Sequence, residues 1–205
     1  MSRFPLGVVY IAFGAGPLVE AAARARELGF DHIDAPAAWQ GELPLPIGDR
    51  ISAGAPLGGC SCPSLPPGDG NWERMVRAYR RTPGAILEPW AGSIVGSVEA
   101  ARAMLDEVPG LRLLVDTGHV ACWGEDPVEL LPFAAHVQLR QARKGVNQAL
   151  EGDVDFARVI ARLVELDYGG LLSIEYFDLP AMGWPLDDPV GHAVALAAQI
   201  RPLLA

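Results

Sequence analysis

Short aliphatic runs alternate with amphipathic helical stretches along this chain, and that alternation restricts its fold more than any other feature. Ala85 to Glu88 (AILE), Leu111 to Asp116 (LRLLVD), His136 to Leu139 (HVQL) and Leu171 to Tyr176 (LLSIEY) read as strands. Helices separate them. Ser97 caps one that runs to Glu107 and stops at Pro109-Gly110. Asp126-Pro127-Val128-Glu129 opens another, with an N-cap, proline at the first position and an acid at the third. Asp155 leads a third, which sets Phe156, Val159, Ile160 and Leu163 on one face before Gly169-Gly170 breaks it. Asp188-Pro189 begins the last, carrying Val190, Val194, Ala197 and Ile200. The first third reads alike: a strand at Gly7 to Phe13, a helix at Pro17 to Leu28 stopped by Gly29, a strand at His32 to Ala35, and a helix at Trp72 to Arg80. Alternation of this kind implies parallel pairing with helices over the sheet.

A βαβ unit takes roughly 30 residues or more, so this length holds about seven units in a single domain over residues 1–205. The expectation is an α/β chain forming a (β/α) barrel of TIM type, shortened or irregular around residues 42–71. That stretch is rich in Pro and Gly and offers at most one strand, near Ala55 to Cys60. Seven strands would leave an open edge beside the Glu88 strand, an unpaired ladder that needs covering by the Pro-rich segment or a second subunit. A homodimer is the expectation that follows.

Composition removes several functions. The net charge of −9 and pI near 4.8 oppose nucleic-acid binding, which rewards a basic surface. No run reaches the ~18 apolar residues of a membrane span. The opening MSRFPLGVVYIAFGAG has one Arg and no cleavage site, so it reads as a first strand and the cytoplasm as the default. Cys60, Cys62 and Cys122 are too few for a disulfide framework, and a lone C-x-C pair lacks the usual zinc spacing, so reduced thiols are the expectation.

Four strands end on polar residues that a sheet interior does not tolerate unaided: Glu88, Asp116, Gln138 and Glu175. In a parallel barrel those ends converge on one face, where active sites sit. Buried carboxylates must be paired or bound to a cation. Three carboxylates and an amide oxygen form a hard cage suited to one divalent ion, Mn²⁺, Mg²⁺ or Co²⁺ over Zn²⁺. Helix capping or pairing with arginines is the competing account of each residue alone.

The same residues carry a resemblance. Asp116-Thr117-Gly118-His119 resembles the D-T-x-H strand end of the xylose-isomerase-like barrels, which include sugar isomerases and epimerases, inosose-processing enzymes and endonuclease IV. Leu87-Glu88-Pro89, His136-Val137-Gln138-Leu139 and Glu151-Gly152-Asp153-Val154-Asp155-Phe156 are similar to further motifs of that superfamily. So is Leu172-Ser173-Ile174-Glu175-Tyr176, which follows Leu166-Asp167-Tyr168-Gly169-Gly170. The likeness is specific from about Ala85 to Phe177 and loose before it. It implies metal ligation by Glu88, Asp116, Gln138 and Glu175, with Gln at the third position as in hydroxypyruvate-isomerase-like members and 3-dehydroshikimate dehydratases. Endonuclease IV activity is set aside, because its extra histidine ligands cannot come from four histidines.

His119 is either a proton shuttle beside the metal or a histidine bonded to backbone at the start of a helix. His136 points the same way as Gln138 but deeper, which suits a buried structural hydrogen bond. Arg140, Arg143 and Lys144 could hold a substrate carboxylate or phosphate, or be solvated surface charge. Trp39, Trp90, Trp123 and Trp184 each follow a strand and could form an aromatic mouth against a sugar or cyclitol, or serve the core.

The resemblance implies a metal-dependent isomerase or epimerase acting on a small sugar, cyclitol or polyhydroxy carbonyl compound. The reaction would pass through an enediolate, with Glu88 and Glu175 as acid and base. A dehydratase-type lyase, or a barrel that has lost catalysis and serves binding or assembly, are the alternatives.

Overall fold

In the computed structural model, which describes residues 4–205, eight parallel strands close into a barrel in sequence order. They are β1 (Leu6–Val9), β2 (Ile33–Pro36), β3 (Ile47–Ile51), β4 (Ser61–Pro63), β5 (Ile86–Glu88), β6 (Arg112–Asp116), β7 (Ala134–Leu139) and β8 (Leu172–Ile174). The ring closes where β8 pairs with β1, Leu6 opposite Leu172 and Val8 opposite Ile174. Arg3, the one base of the N-terminal run, lies outside the described residues.

The expected missing strand is present, so the shortened barrel is corrected. Residues 42–71 supply two strands, β3 and β4, and neither covers Ala55 to Cys60. They are short, and the register between them is a single pair, Ile51 with Ser61. Asp49 and Ser61 are polar, and Pro63 ends β4 where it needs no further ladder donor. A closed ring has no open edge, which removes the ground on which a covering second subunit was expected.

Among the described residues six α-helices surround the ring: α1 (Leu18–Glu27), α2 (Asn71–Arg81), α3 (Val98–Glu107), α4 (Thr117–Trp123), α5 (Phe156–Glu165) and α6 (Pro189–Ile200). Their caps are those the sequence carries. Ser97 accepts from the Ala100 amide at 3.0 Å and Asp155 from Arg158 at 3.0 Å, each worth about 1 kcal/mol against alanine. Two expectations shorten. The first strand ends at Val9 and passes into a 3₁₀ turn at Tyr10–Phe13. Asp126-Pro127 opens a 3₁₀ turn, Pro127–Glu129, because Pro132 interrupts the next turn.

The main apolar core lies between ring and helices. Val137 and Leu139 of β7, which alternate with His136 and Gln138, and Leu113 and Val115 of β6 belong to one cluster with Val159 and Leu163 of α5. Each such fully buried side chain contributes about 1.5–3 kcal/mol.

The ring's interior is polar beneath its mouth. Asp34 is fully buried, accepts from His136 Nε2 at 2.9 Å and takes the Asp49 amide at 2.9 Å. His32 Nε2 meets Ser173 Oγ at 3.0 Å. The His32 ring fits because Gly7 and Gly48 have no side chain; a Cβ at either would overlap it. Burial alone would raise the Asp34 pKa, but the charges and hydrogen bonds of His136, His32 and Ser173 outweigh it and hold it at about 2. His136 moves upward despite burial, through Asp34. The buried structural hydrogen bond expected of His136 is this one. Among the described residues no helix is long and apolar enough to cross a membrane.

Candidate active site

Each of the strongest site residues stands at a strand's carboxyl end. Glu88 is the last residue of β5, Asp116 the last of β6, and Glu175 the first after β8. All three are buried, as is His119, one turn into α4. Ligand atoms of these four lie within 4.8 Å of one another. His119 thus sits in the cluster itself: its Nε2 is 3.5 Å from Asp116 and 3.8 Å from Glu88. Its Nδ1 meets Asn147 Oδ1 at 2.8 Å and Arg140 Nη2 at 3.3 Å. Burial pushes the His119 pKa down to about 4, leaving it neutral at ordinary pH.

Gln138 lies beside Asp116 in the β6–β7 register, and neither atom of its amide has a hydrogen-bond partner. One Glu175 oxygen is equally without one. A buried polar atom left unsatisfied costs about 1–3 kcal/mol, so these orphaned atoms need an occupant. Three carboxylates, a neutral imidazole and an amide oxygen fit a divalent cation of the harder kind.

Without such a cation the cluster is electrostatically expensive. Burial, then the neighbouring Asp116, pushes Glu88 up to about 8. Burial also drives Glu175 well above the usual range; the charges of Asp116 and Glu88 push the same way, and together they outweigh Arg140. Asp116 goes the other way. Burial would raise it, but Arg140, His119 and the Gly118 amide, donating at 2.7 Å, together hold it down.

Arg140 is where sequence reasoning departs most from the structure. Its side chain has no exposed surface, whereas the sequence suggested a mouth residue or surface charge. Nη2 donates to Asp116 Oδ2, Nη1 is 3.4 Å from Glu175, and the guanidinium lies 4.8 Å above the Phe177 ring. Arg140 is two residues after Gln138 and directly follows β7, so period two continued past the strand end was the signal that could have placed them together. Arg143 and Lys144 are exposed and outside the cavity.

A cavity of about 390 Å³ opens over the cluster, reached by Glu88, His119 and Glu175. Trp90 and Trp184 line it edge to face, 5.8 Å apart. Trp90 is fixed by its indole N–H, which donates to the Ser64 carbonyl at 2.6 Å. The other two tryptophans stand elsewhere. Trp39 donates within its own loop to the Gly41 carbonyl at 2.8 Å, and Trp123 packs against the core. Phe177 and Tyr10 also line the cavity and were not singled out by sequence, since nothing in their local pattern distinguishes them from core aromatics.

Similar proteins share this fold. A sequence profile of the xylose isomerase-like TIM barrel family matches residues 71–199, more than half of the chain. An inosose dehydratase from Geobacillus kaustophilus is 28% identical over 151 residues, 57% of this chain and 49% of that protein; the chain thus spans about half the length of this curated relative. A Mycobacterium smegmatis xylose isomerase-like barrel protein, solved in complex with magnesium, superposes with a TM-score of 0.74 at 16% identity, covering 100% of this chain and 98% of that one. A 3-keto-D-glucoside 4-epimerase from E. coli does so with a TM-score of 0.71 at 16% identity, covering 97% and 99%. Ring, strand-end acids and profile lead to one assignment: the chain belongs to the xylose isomerase-like TIM barrel family.

Proposed function

We propose that the protein is a divalent-metal-dependent isomerase or epimerase acting on a small hydroxy-carbonyl compound of the sugar or cyclitol kind. The observation that carries this reading is the convergence of Glu88, Asp116, Glu175 and a neutral His119 at the floor of an aromatic-walled cavity. Glu88, Asp116, Gln138 and Glu175 would hold the ion, with His119 Nε2 within the same cluster. When bound, a divalent ion supplies Lewis acidity that polarises a carbonyl and its neighbouring hydroxyl and so acidifies the C–H between them.

The remaining work falls to the chain. Glu88 and Glu175 reach the cavity from different strands and serve as the pair that removes and returns the proton. Asn147 orients the His119 ring, and a proton on Nδ1, donated to Asn147 Oδ1, would leave Nε2 free to ligate. Trp90, Trp184 and Phe177 cover the substrate's C–H face and keep water off the reacting carbon. Of the residues that line the cavity, Glu88, His119 and Glu175 are buried, while Leu179 and Met182 are exposed. A substrate therefore places its oxygens inward; hydroxyls set against the outer wall would each lose about 1–3 kcal/mol of hydrogen bonding.

A dehydratase begins with the same proton removal and then expels hydroxide. The similarity to an inosose dehydratase supports retaining it as the second reading. Both are tested by incubating the Mn²⁺-supplemented protein with α-hydroxy ketones in D₂O. Solvent deuterium should enter the C–H beside the carbonyl, and Glu88→Gln and Glu175→Gln should each abolish the exchange. An alkene product marks the lyase. Near wild-type exchange in either variant removes that residue from the acid–base role, and absence of exchange in wild type favours a barrel that only binds.

A further inference from the structure

Both oxygens of Asp116 are already engaged. Oδ1 accepts from the Gly118 amide at 2.7 Å, and Oδ2 accepts from Arg140 Nη2. The same guanidinium stands at ion-pair distance from Glu175, 3.4 Å through Nη1. Two of the residues assigned above to a divalent ion are thus held by a cation that belongs to the chain.

The arginine's backbone and its head are held very differently. The Thr117 hydroxyl bridges both the amide and the carbonyl of Arg140, at 2.9 Å and 3.0 Å, and pins its main chain to the end of β6. The head donates from Nη2 alone, to Asp116 with His119 Nδ1 at 3.3 Å beside it, while Nε and Nη1 have no hydrogen bond, although all are buried. Phe177 provides a flat face along which the head can shift while remaining over the ring. The seat exists because residue 118 is glycine. A Cβ there would lie 3.1 Å and 3.2 Å from the arginine Cβ and Cγ and would overlap Nε.

We propose that Arg140 is a built-in counter-cation that competes with the divalent ion for Asp116 and Glu175, so that metal loading is an exchange in which the guanidinium gives way. This rests on the metal-binding reading of the site. It makes Arg140 a positioning residue and not a substrate anchor, since no part of it reaches the cavity. The device keeps the carboxylates partly neutralised when metal is scarce and weakens ion binding in return.

The test uses calorimetric titration of the whole protein with Mn²⁺, for wild type, Arg140→Met and Gly118→Ala. Arg140→Met removes the competing charge; Gly118→Ala keeps it and pushes it from its seat. Both variants should bind Mn²⁺ about tenfold or more tightly than wild type, because a neighbouring positive charge has been removed or displaced. Both should melt lower than wild type without metal and regain most of the difference with it. If Arg140→Met is too unstable to titrate, Gly118→Ala decides. So does the ¹³Cζ resonance of arginine in labelled wild type, which should move for one buried guanidinium as Mg²⁺ is added. Wild-type binding with unchanged or weaker affinity in the variants overturns the proposal and leaves the metal reading intact, as does Mg²⁺ saturation with no arginine shift. Binding by the variants alone supports the exchange while refuting metal dependence in the wild type; binding by none of the three refutes both.

Discussion

Gly48→Ala measures how closely the polar floor of the barrel is fitted. A methyl group at residue 48 would overlap the His32 ring, standing 2.7 Å from its Nε2, and would lie 2.7 Å from Asp34 Oδ1. The ring cannot retreat toward β1, where Gly7 already gives it the space of a missing side chain, nor without leaving Ser173 at 3.0 Å. Overpacking of this kind costs about 1–3 kcal/mol, and the loss of the His32–Ser173 bond about 1 more. Alanine's smaller unfolded-state entropy returns up to about 1 kcal/mol. The net loss is about 1–3 kcal/mol, which for a chain of this size lowers the melting temperature by roughly 2–12 °C. Scanning calorimetry of Gly48→Ala, His32→Ala and the double variant checks the cause as well as the size. With the ring gone the methyl has room, so the double variant should be less destabilised than the sum of the singles by about 1 kcal/mol or more. A melting point for Gly48→Ala within about 1 °C of wild type, or strict additivity, would refute the account of a glycine-built seat.

Three further outcomes are expected. Removal of divalent ions by a chelator should lower the melting temperature, and Mn²⁺ at a hundred times its dissociation constant should restore about 2.7 kcal/mol; no change, with no metal found beforehand, contradicts the ligand assignment. Metal-free protein should show a stability maximum in mild acid, because two buried acids are displaced in opposite directions. Asp34, held at about 2, stabilises above its unfolded value near 4, and that contribution is lost as pH falls through 2. Glu88, raised from 4.5 to about 8, contributes stability below 4.5 that is lost as pH rises through 8, so a melting point that rises steadily from pH 5 to 8 would contradict the buried-acid picture. Turnover and solvent exchange should fail together in Glu175→Gln, and loss of one without the other would separate proton transfer from the later chemistry.

The parts of the fold that sequence revealed are those where apolar runs are long enough to show a period. β6, β7 and α5 are of this kind: Leu113, Leu114 and Val115 form an unbroken apolar run, Val137 and Leu139 alternate with His136 and Gln138, and Phe156 to Leu163 repeat at helical spacing. β3 and β4 have no such pattern. Their five and three residues include Gly48, Asp49, Ser61 and Pro63, since the ring interior they face is polar and crowded by His32. The acids of the site were visible because each ends an apolar strand. Arg140 was not, because a charge followed by Arg143 and Lys144 looks like surface, and only the closed ring shows the two acidic side chains, Asp116 and Glu175, that stand beside it. Trp90 and Trp184 could not be separated from Trp39 and Trp123 by position after a strand; only loop paths decide which indoles meet.

The pairing of β8 with β1 makes the chain's first and last strands neighbours. Glu175 follows β8 directly, so its position beside Glu88 and Asp116 is set only when the opening residues are in place to receive that strand. During synthesis, the carboxylates of β5 and β6 emerge long before the partner that completes their cage. A fragment lacking either end is expected not to assemble the cluster. Chain closure, the slow long-range step in a parallel barrel, is also the step that creates the centre.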